Sequence, residues 1–334
     1  MIPPKSALRH RAVWQKELAE AIVDPAELLE ILGLDTAMAA ARAMGESFPL
    51  RVPRAFVARM KKHDPTDPLL RQVLPSDEES RTVSGFCGDP LAEQRTMTVP
   101  GVLHKYHGRV LLIATGACGV HCRYCFRREF PYGQANVGAA DWRAAMDYLA
   151  KHPEVNEVIL SGGDPLTLSN HRLARLIEAL RGLPSIRRLR IHSRQPIVLP
   201  ERIDEGLVEL LSDIHFQTLM VIHANHPQEI DNSVRTGLSR LNAAGITLFN
   251  QAVLLRGVND SADILVALSE TLFAAKVIPY YLHMLDRVRG TAHFEVSERQ
   301  ALVLMQEIRA RLPGYLVPRL VREQPDATSK TFIG

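Results

Sequence analysis

The sequence has little cysteine and no long apolar run. Four cysteines occur among 334 residues, and three of them are clustered, unlike the disulfide framework of a small secreted domain. No apolar run reaches the length of about 20 residues that crosses a bilayer. The N-terminal residues also lack the apolar core of a secretory signal. We therefore expect a cytoplasmic protein with no membrane partner.

Net charge is also small. The formal net charge is +3, and the arginines are spread along the chain rather than gathered in one tract. A basic tract or face is the electrostatic footprint of a nucleic-acid-binding protein, so nucleic acid is not an expected partner. Hydrophobic residues make up 46% of the chain and charged residues 23%, which is typical of a globular protein with a sizeable core.

The sequence pattern changes near residue 109. From there, short apolar runs such as "RVLLIATG", "EVILSGG" and "RRLRIHSR" alternate with amphipathic stretches long enough for helices. Six such units in series favour an α/β fold with a parallel sheet and helices outside, either an open doubly wound sheet or a full or partial barrel. We predict a helical region over 1–75, a wrapping loop and linker over 76–108, the sheet and its helices over 109–312, and a C-terminal segment over 313–334.

Polar residues gather where the apolar runs end. A barrel builds its active site from the loops at the carboxyl ends of its strands, so this pattern indicates a site. The groups are Ser161, Gly162, Gly163 and Asp164; His192, Ser193 and Arg194; His223 and Asn225; Asn250 and Gln251; and His283 and Asp286.

Three cysteines follow the first run at the same edge. Cys118, Cys122 and Cys125 form a CxxxCxxC pattern. A closed structural zinc site needs four ligands, so that alternative must recruit His121 or Cys87. Three cysteines can instead hold three irons of a [4Fe-4S] cluster and leave the fourth iron open to a ligand that is not protein.

CxxxCxxC after a first strand resembles the signature of radical S-adenosylmethionine (SAM) enzymes, and "SGGDPL" at 161–166 resembles their glycine-rich segment. The resemblance extends to the lysine 2,3-aminomutase family over nearly the whole chain, through "LHKYHGRVLLIATGACGVHCRYCFRREF", "RLRIHSRQPIVLPERI", "HANHPQEI", "LFNQAVLLRGVND", "YYLHMLDRVRGTAHF" and "SKT". It is greatest to the short members that supply (R)-β-lysine for the modification of bacterial elongation factor P.

This resemblance implies a partial (β/α)6 TIM-like barrel with an N-terminal helical extension. It also implies an isomerase that converts L-α-lysine to β-lysine by 1,2-amino migration. The cofactors would be a [4Fe-4S] cluster, SAM and pyridoxal 5′-phosphate (PLP), because a migrating amino group needs a C=N bond that can accept a radical. The implied partners are L-lysine, an electron donor of the flavodoxin or ferredoxin type, and, through the product, elongation factor P and its lysyl-ligase.

The resemblance also assigns roles to residues. Lys330 would hold PLP covalently as the catalytic lysine, and Lys105, Tyr106 and Arg109 would anchor its phosphate, partly from within the 76–108 linker. The expected substrate contacts are Arg127 for the α-carboxylate and Asp286 and Glu323 for the distal ammonium. The remaining assignments are cluster ligands Cys118, Cys122 and Cys125, and SAM contacts Gly162, Gly163, Asp164, Ser193, Arg194, His223 and Gln251.

Two other functions stay open from the sequence. A related 2,3-aminomutase could act on another amino acid, such as ornithine or glutamate, although the acidic Asp286 disfavours glutamate. A protein that binds iron-sulfur or zinc without catalysis is the alternative from a different class.

Overall fold

The computed structural model describes residues 12–36, 48–133 and 142–334. A single ten-stranded sheet forms its centre, with the strands in chain order from one edge to the other. The strands are β1 Met97–Val99, β2 Val102–Tyr106, β3 Arg109–Thr115, β4 Glu157–Gly162, β5 Arg188–Ser193, β6 Gln217–Ile222, β7 Thr247–Val253, β8 Ile278–His283, β9 Arg319–Arg322 and β10 Thr331–Phe332.

Twelve helices are described beside this sheet. They are α1 Val13–Ala19, α2 Pro25–Ile31, α3 Arg54–Val57, α4 Pro68–Arg71, α5 Glu93–Thr96, α6 Arg143–Ala150, α7 Asn170–Arg181, α8 Gln195–Val198, α9 Glu205–Ser212, α10 Asn232–Ala243, α11 Ala262–Ala274 and α12 Glu298–Arg311. Polar caps begin the longer ones, as where the Ser169 hydroxyl accepts the Arg172 amide and Asp231 accepts the Val234 amide. Across the described ranges, no helix is both long enough and apolar enough to span a membrane.

The strands β3 to β9 run parallel, and antiparallel strands flank them at both edges. Every residue of β4 is buried, because helices cover one face of the sheet and the barrel interior lies on the other. Within the described residues β1 and β10 do not pair, so the sheet curls into a barrel that stays open. The predicted partial α/β barrel is confirmed, with β9 as a seventh parallel strand that the sequence analysis did not identify.

The N-terminal region packs against the barrel. In the predicted helical region of 1–75, the described residues form four short helices, and residues 1–11 and 37–47 lie outside the described residues. Trp14 is buried under the guanidinium of Arg202, 4.5 Å from its ring centre, and Arg59 donates to the carbonyl of Ile197 at 2.6 Å. These contacts attach the described part of the N-terminal region to the segment that follows β5.

Part of the segment predicted as loop and linker over 76–108 is a β-hairpin. Val99 pairs with Val102 around Gly101, whose φ of +82° suits glycine, and β2 continues antiparallel to β3. Val102 and Leu103 are buried, which gives this short strand a place in the core. The prediction of an irregular segment was wrong here, because the apolar run is too short to show a strand period. The hairpin brings Lys105 and Tyr106 to the site.

Candidate active site

The carboxyl ends of the parallel strands surround one cavity of about 540 Å³. Every residue to which the resemblance assigned a role lines it, whereas Asn225 and Asn250 of the strand-end groups do not. The lining residues with an assigned role are Lys105, Tyr106, Arg109, Cys118, Cys122, Cys125, Arg127, Gly162, Gly163, Asp164, Ser193, Arg194, His223, Gln251, Asp286, Glu323 and Lys330. Residues far apart in the chain therefore share one enclosure, although their individual roles remain predictions.

The three clustered cysteines lie on the loop that follows β3. A turn from the Cys125 amide to the Cys122 carbonyl, at 3.0 Å, brings them together. Burial raises the pKa of Cys118, and burial followed by the neighbouring Cys122 raises the pKa of Cys125 to about 12. Thiols in such a position need positive charge to ionise, which a metal cluster supplies, so the loop fits the predicted cluster.

The described residues do not form the closed four-ligand site that the zinc alternative requires. In those parts of the chain, no three His, Cys, Asp or Glu side chains converge closely enough to hold a single metal ion. Cys87 is exposed and pairs through its backbone with Val288, outside the cavity lining. The imidazole of His121 is hydrogen-bonded through Nδ1 to the carbonyl of Pro49 at 2.9 Å.

The glycine-rich turn after β4 packs directly on the cysteine loop. A Cβ on Gly163 would lie 2.3 Å from the carbonyl oxygen of Ala117, and Gly162 has a φ of +120°. The amides of Gly163 and Asp164 donate to the carbonyls of Thr115 and Ala117, both at 2.8 Å. The glycines are therefore required for a close approach of two backbones. This contact fixes the position of the cysteine loop relative to the turn after β4.

Asp164 connects this turn to the end of β5. Its carboxylate accepts the Leu166 amide at 3.0 Å, the Ser193 hydroxyl at 2.7 Å and the Arg194 amide at 2.8 Å. Burial raises the pKa of Asp164, although these hydrogen bonds oppose that effect. Asp164 thus acts as a cap and as a bridge between strands, and the roles expected for Asp164 and Ser193 toward SAM are untested by these contacts.

Arg194 lies in a buried polar network behind the cysteines. Its Nη1 donates to the sulfur of Cys122 at 2.7 Å, and its Nη2 donates to Gln72 at 2.6 Å and to Glu229 at 3.1 Å. Glu229 is fully buried and also accepts the amide of Asn225 at 2.9 Å. The sequence analysis missed Gln72 and Glu229, because no local pattern marks partners so distant in the chain.

Three histidines at the ends of different strands line the cavity. The Nε2 atoms of His192, His223 and His283 are buried and have no hydrogen-bond partner among the described residues. Burial lowers the pKa of each, to about 3 for His223 and well below the usual value for the others, so the imidazoles are neutral. A buried nitrogen without a partner is costly. The three atoms therefore fit a bound cofactor or substrate that supplies their partners.

A second charged cluster lies at the edge strands. The carboxylate of Glu323, after β9, binds Lys105 at 2.9 Å, the hydroxyl of Tyr106 and the ammonium of Lys330. Burial alone would raise the pKa of Glu323, but Lys330, Tyr106 and Lys105 together lower it to about 2. Glu323, expected to bind the substrate, therefore contacts the groups expected to bind PLP. The guanidinium of Arg109 stacks 4.7 Å from the ring centre of Tyr106.

The groups expected to bind the two ends of the substrate also line the cavity. Arg127 is buried and forms an ion pair with Glu93, which the sequence analysis missed. Asp286 follows β8, and burial raises its pKa to about 7, opposed in part by Lys330. The cavity thus has a guanidinium on the cysteine side and carboxylates on the side of β8 and β9.

The comparisons with known proteins agree with this architecture. Residues 112–266 match the Radical SAM superfamily. The chain is 50% identical over 323 residues to L-lysine 2,3-aminomutase of Escherichia coli (strain K12), covering 96% of this chain and 94% of that protein. The proteins of the same name from Haemophilus influenzae and Buchnera aphidicola are 45% and 44% identical over 333 and 335 residues. They cover 99% and 100% of this chain, and 98% of each relative.

Proposed function

The chain belongs to the L-lysine 2,3-aminomutase family of the Radical SAM superfamily, and from this premise we propose that it converts L-α-lysine to β-lysine. The observation that carries the proposal is the shared cavity. It combines a three-cysteine loop, a lysine at the chain's C-terminal segment, an arginine and two carboxylates. An isomerase of this family requires all of these groups to act on one small molecule.

We assign the cluster to Cys118, Cys122 and Cys125, and the SAM contacts to the ends of β4 to β7. When bound, a reduced cluster and SAM would supply a carbon radical, and PLP would supply a C=N bond that can accept it. Gly162 and Gly163 allow the close backbone approach, while His223 and Gln251 present polar atoms to the same cavity. Asp164, Ser193 and Arg194 would act mainly by fixing the cysteine loop and the strand ends around that nucleotide.

We assign PLP to the edge-strand cluster. Lys330 would hold it covalently, and Lys105, Tyr106 and Arg109 would contact its phosphate. The pairing of Lys105 and Tyr106 with the carboxylate of Glu323 supports this, because it reveals donors arranged for an anion. When a phosphate meets those donors, Glu323 is released to bind the distal ammonium of the substrate beside Asp286.

The charges of the cavity favour lysine among amino acids. Arg127 suits an α-carboxylate, and Asp286 with Glu323 suits a side-chain ammonium. Glutamate would place a second carboxylate beside these two acids, so the charge balance opposes it. Ornithine carries the same charges on a shorter side chain, and a comparison of turnover on the two amino acids decides between them.

We further propose that the product is (R)-β-lysine and serves the modification of elongation factor P by its lysyl-ligase in the cytoplasm, with a flavodoxin or ferredoxin as electron donor. The sequence resemblance to the short members of the family supports this.

The test is product formation by reconstituted, reduced protein supplied with SAM, PLP and one amino acid at a time. We expect β-lysine from lysine, with little product from ornithine and none from glutamate, and no product from the Cys122→Ala variant. Product from ornithine in preference to lysine would support the related aminomutase instead. Absence of any β-amino acid, together with no borohydride-trapped cofactor on Lys330, would support a protein that only binds its metal cluster.

A further inference from the structure

The guanidinium of Arg127 is already largely occupied by protein groups. Its Nε and Nη2 donate to the two oxygens of Glu93 at 2.7 and 2.6 Å, and its Nη1 donates to the hydroxyl of Ser161 at 3.0 Å and the carbonyl of Gly162 at 3.3 Å. A guanidinium has five N–H donors. After these bonds, only the second N–H of Nη2 remains for a ligand.

Glu93 is firmly held in this pairing. The carboxylate of Asp89 accepts the amides of Glu93 at 3.0 Å and of Gln94 at 3.3 Å, which fixes the start of α5. Ala92 adopts a left-handed φ of +50°, a conformation that residues other than glycine rarely adopt. The side chain of Glu93 is only 13% exposed. Local strain and burial together indicate a fixed carboxylate rather than a mobile side chain.

We propose that Glu93 is a positioning residue, which orients Arg127 so that its last free N–H meets the α-carboxylate of the amino-acid substrate. This inference rests on the proposed function. The pair carries no net charge, so the empty site does not leave a buried cation without a partner. The substrate carboxylate is then bound by one directed hydrogen bond rather than by a two-point clamp, and the carboxylates at the other end of the cavity contribute more to selection.

A double-mutant cycle between Glu93→Ala and Arg127→Ala tests the inference. Two quantities would be measured: the dissociation constant of lysine by calorimetry with PLP but without SAM, so that no turnover occurs, and the KM and kcat of the complete system. We expect Glu93→Ala to raise both the dissociation constant and KM about tenfold, a loss of about 1.4 kcal/mol, with a smaller effect on kcat. Because Glu93 acts through Arg127, the double variant should bind lysine no more weakly than Arg127→Ala alone.

Controls separate this role from general damage. Glu129→Ala removes another carboxylate paired with an arginine, Arg289, but both side chains are exposed, so lysine binding should not change. Glu93→Gln keeps a hydrogen-bond acceptor for Arg127 and should bind lysine with intermediate strength, which also serves if the alanine variant does not fold. Additive effects in the cycle, or tighter lysine binding by Glu93→Ala, would overturn the inference. If wild-type protein binds or converts no lysine at all, the proposed function fails first.

Discussion

The two walls of the cavity are built in different ways. The central wall, formed by Asp164, Arg194 and Glu229 at the ends of β4 to β6, is buried, and each charge has fixed partners within the protein. The edge wall, formed by Lys105, Tyr106, Glu323 and Lys330 on β2, β9 and the C-terminal segment, is partly exposed. Three of its side chains share the carboxylate of the fourth, Glu323.

This difference indicates what holds each wall in place. Strands β4 to β7 are paired on both sides with long parallel neighbours, so the central wall keeps its geometry without a ligand. The edge wall depends on the hairpin of β1 and β2 and on β10, which has only two residues. Its charges hold one another in place, and an incoming anion can replace the carboxylate. Substitutions in the central wall should therefore affect the cluster and stability, and those in the edge wall should affect ligand binding.

The largest expected effect comes from the cysteine loop, next to the central wall. Cys122→Ala removes one of the three proposed cluster ligands and the sulfur that accepts from Arg194. We expect loss of cluster iron and of visible absorbance, and a fall in β-lysine formation of at least roughly 10³-fold. Cys87→Ala is the matched control, because Cys87 is exposed. Wild-type iron content in Cys122→Ala would contradict the assignment.

The edge wall has its strongest test in Lys330→Ala. The variant should retain its cluster, because the cysteine loop is held by β3 and β4, but lose borohydride-trapped cofactor and roughly 10²- to 10³-fold of its turnover. Lys151→Ala changes an exposed lysine at the end of α6 and should label as wild type does. A Lys330→Ala protein that lost its cluster as well would show that the two walls are not independent.

For substitutions in the central wall, the free energy of unfolding is a more direct measurement than activity. Arg194→Ala leaves the carboxylate of Glu229, which is 0% exposed, without its cation. We expect the free energy of unfolding to fall by about 3–5 kcal/mol, and the double variant Arg194→Ala with Glu229→Gln to recover part of that loss. The control is Arg311→Ala, which breaks an exposed ion pair with Asp263 and should cost less than about 1 kcal/mol. Equal losses of unfolding free energy in Arg194→Ala and Arg311→Ala would contradict the prediction that the charges of the central wall stabilise the fold more than exposed charges do.

The fold was predictable from the sequence where its pattern is local. The strands β3, β4 and β5 coincide within about two residues with the apolar runs "RVLLIATG", "EVILSGG" and "RRLRIHSR", because a buried strand shows as a run of neighbouring apolar residues. Strand β9 was missed, since four residues with charged ends show no period. The cysteine loop was found because its three ligands lie within eight positions.

The site was only partly predictable, for a physical reason. Glu93 and Arg127 are 34 residues apart, and Gln72 and Glu229 are 157 apart, so only the folded sheet brings them together. Lys105 and Glu323 were identified through the family resemblance and not through any local pattern. The resemblance named the residues of the edge wall, but their pairing with one another in the absence of a ligand appears only in the structure.

The smallest expected effect is the pH dependence of stability that Asp286 contributes. Asp286 follows β8 and lines the cavity next to the edge wall. Burial raises its pKa from 3.8 to about 7. Between these values the folded protein keeps a proton that the unfolded chain has lost, so this contribution to stability falls as pH rises from about 4 to about 7. The loss at pH 8 is at most on the order of 4 kcal/mol, and water in the open cavity reduces it.

Asp286→Asn cannot ionise and should remove that pH dependence. Chemical denaturation of both proteins without cofactors, at pH 5 and pH 8, measures it: the variant should gain stability relative to wild type at pH 8 and not at pH 5. Lysine affinity should change with pH in the opposite direction to stability, because the ammonium of lysine favours the ionised carboxylate of Asp286. Lysine should therefore bind the wild-type protein more tightly as pH rises through about 7. A difference in stability that stays constant with pH would mean that Asp286 is ionised throughout. The side of the cavity at the edge wall would then carry one more permanently ionised side chain. It would differ less from the central wall, whose charges have fixed partners.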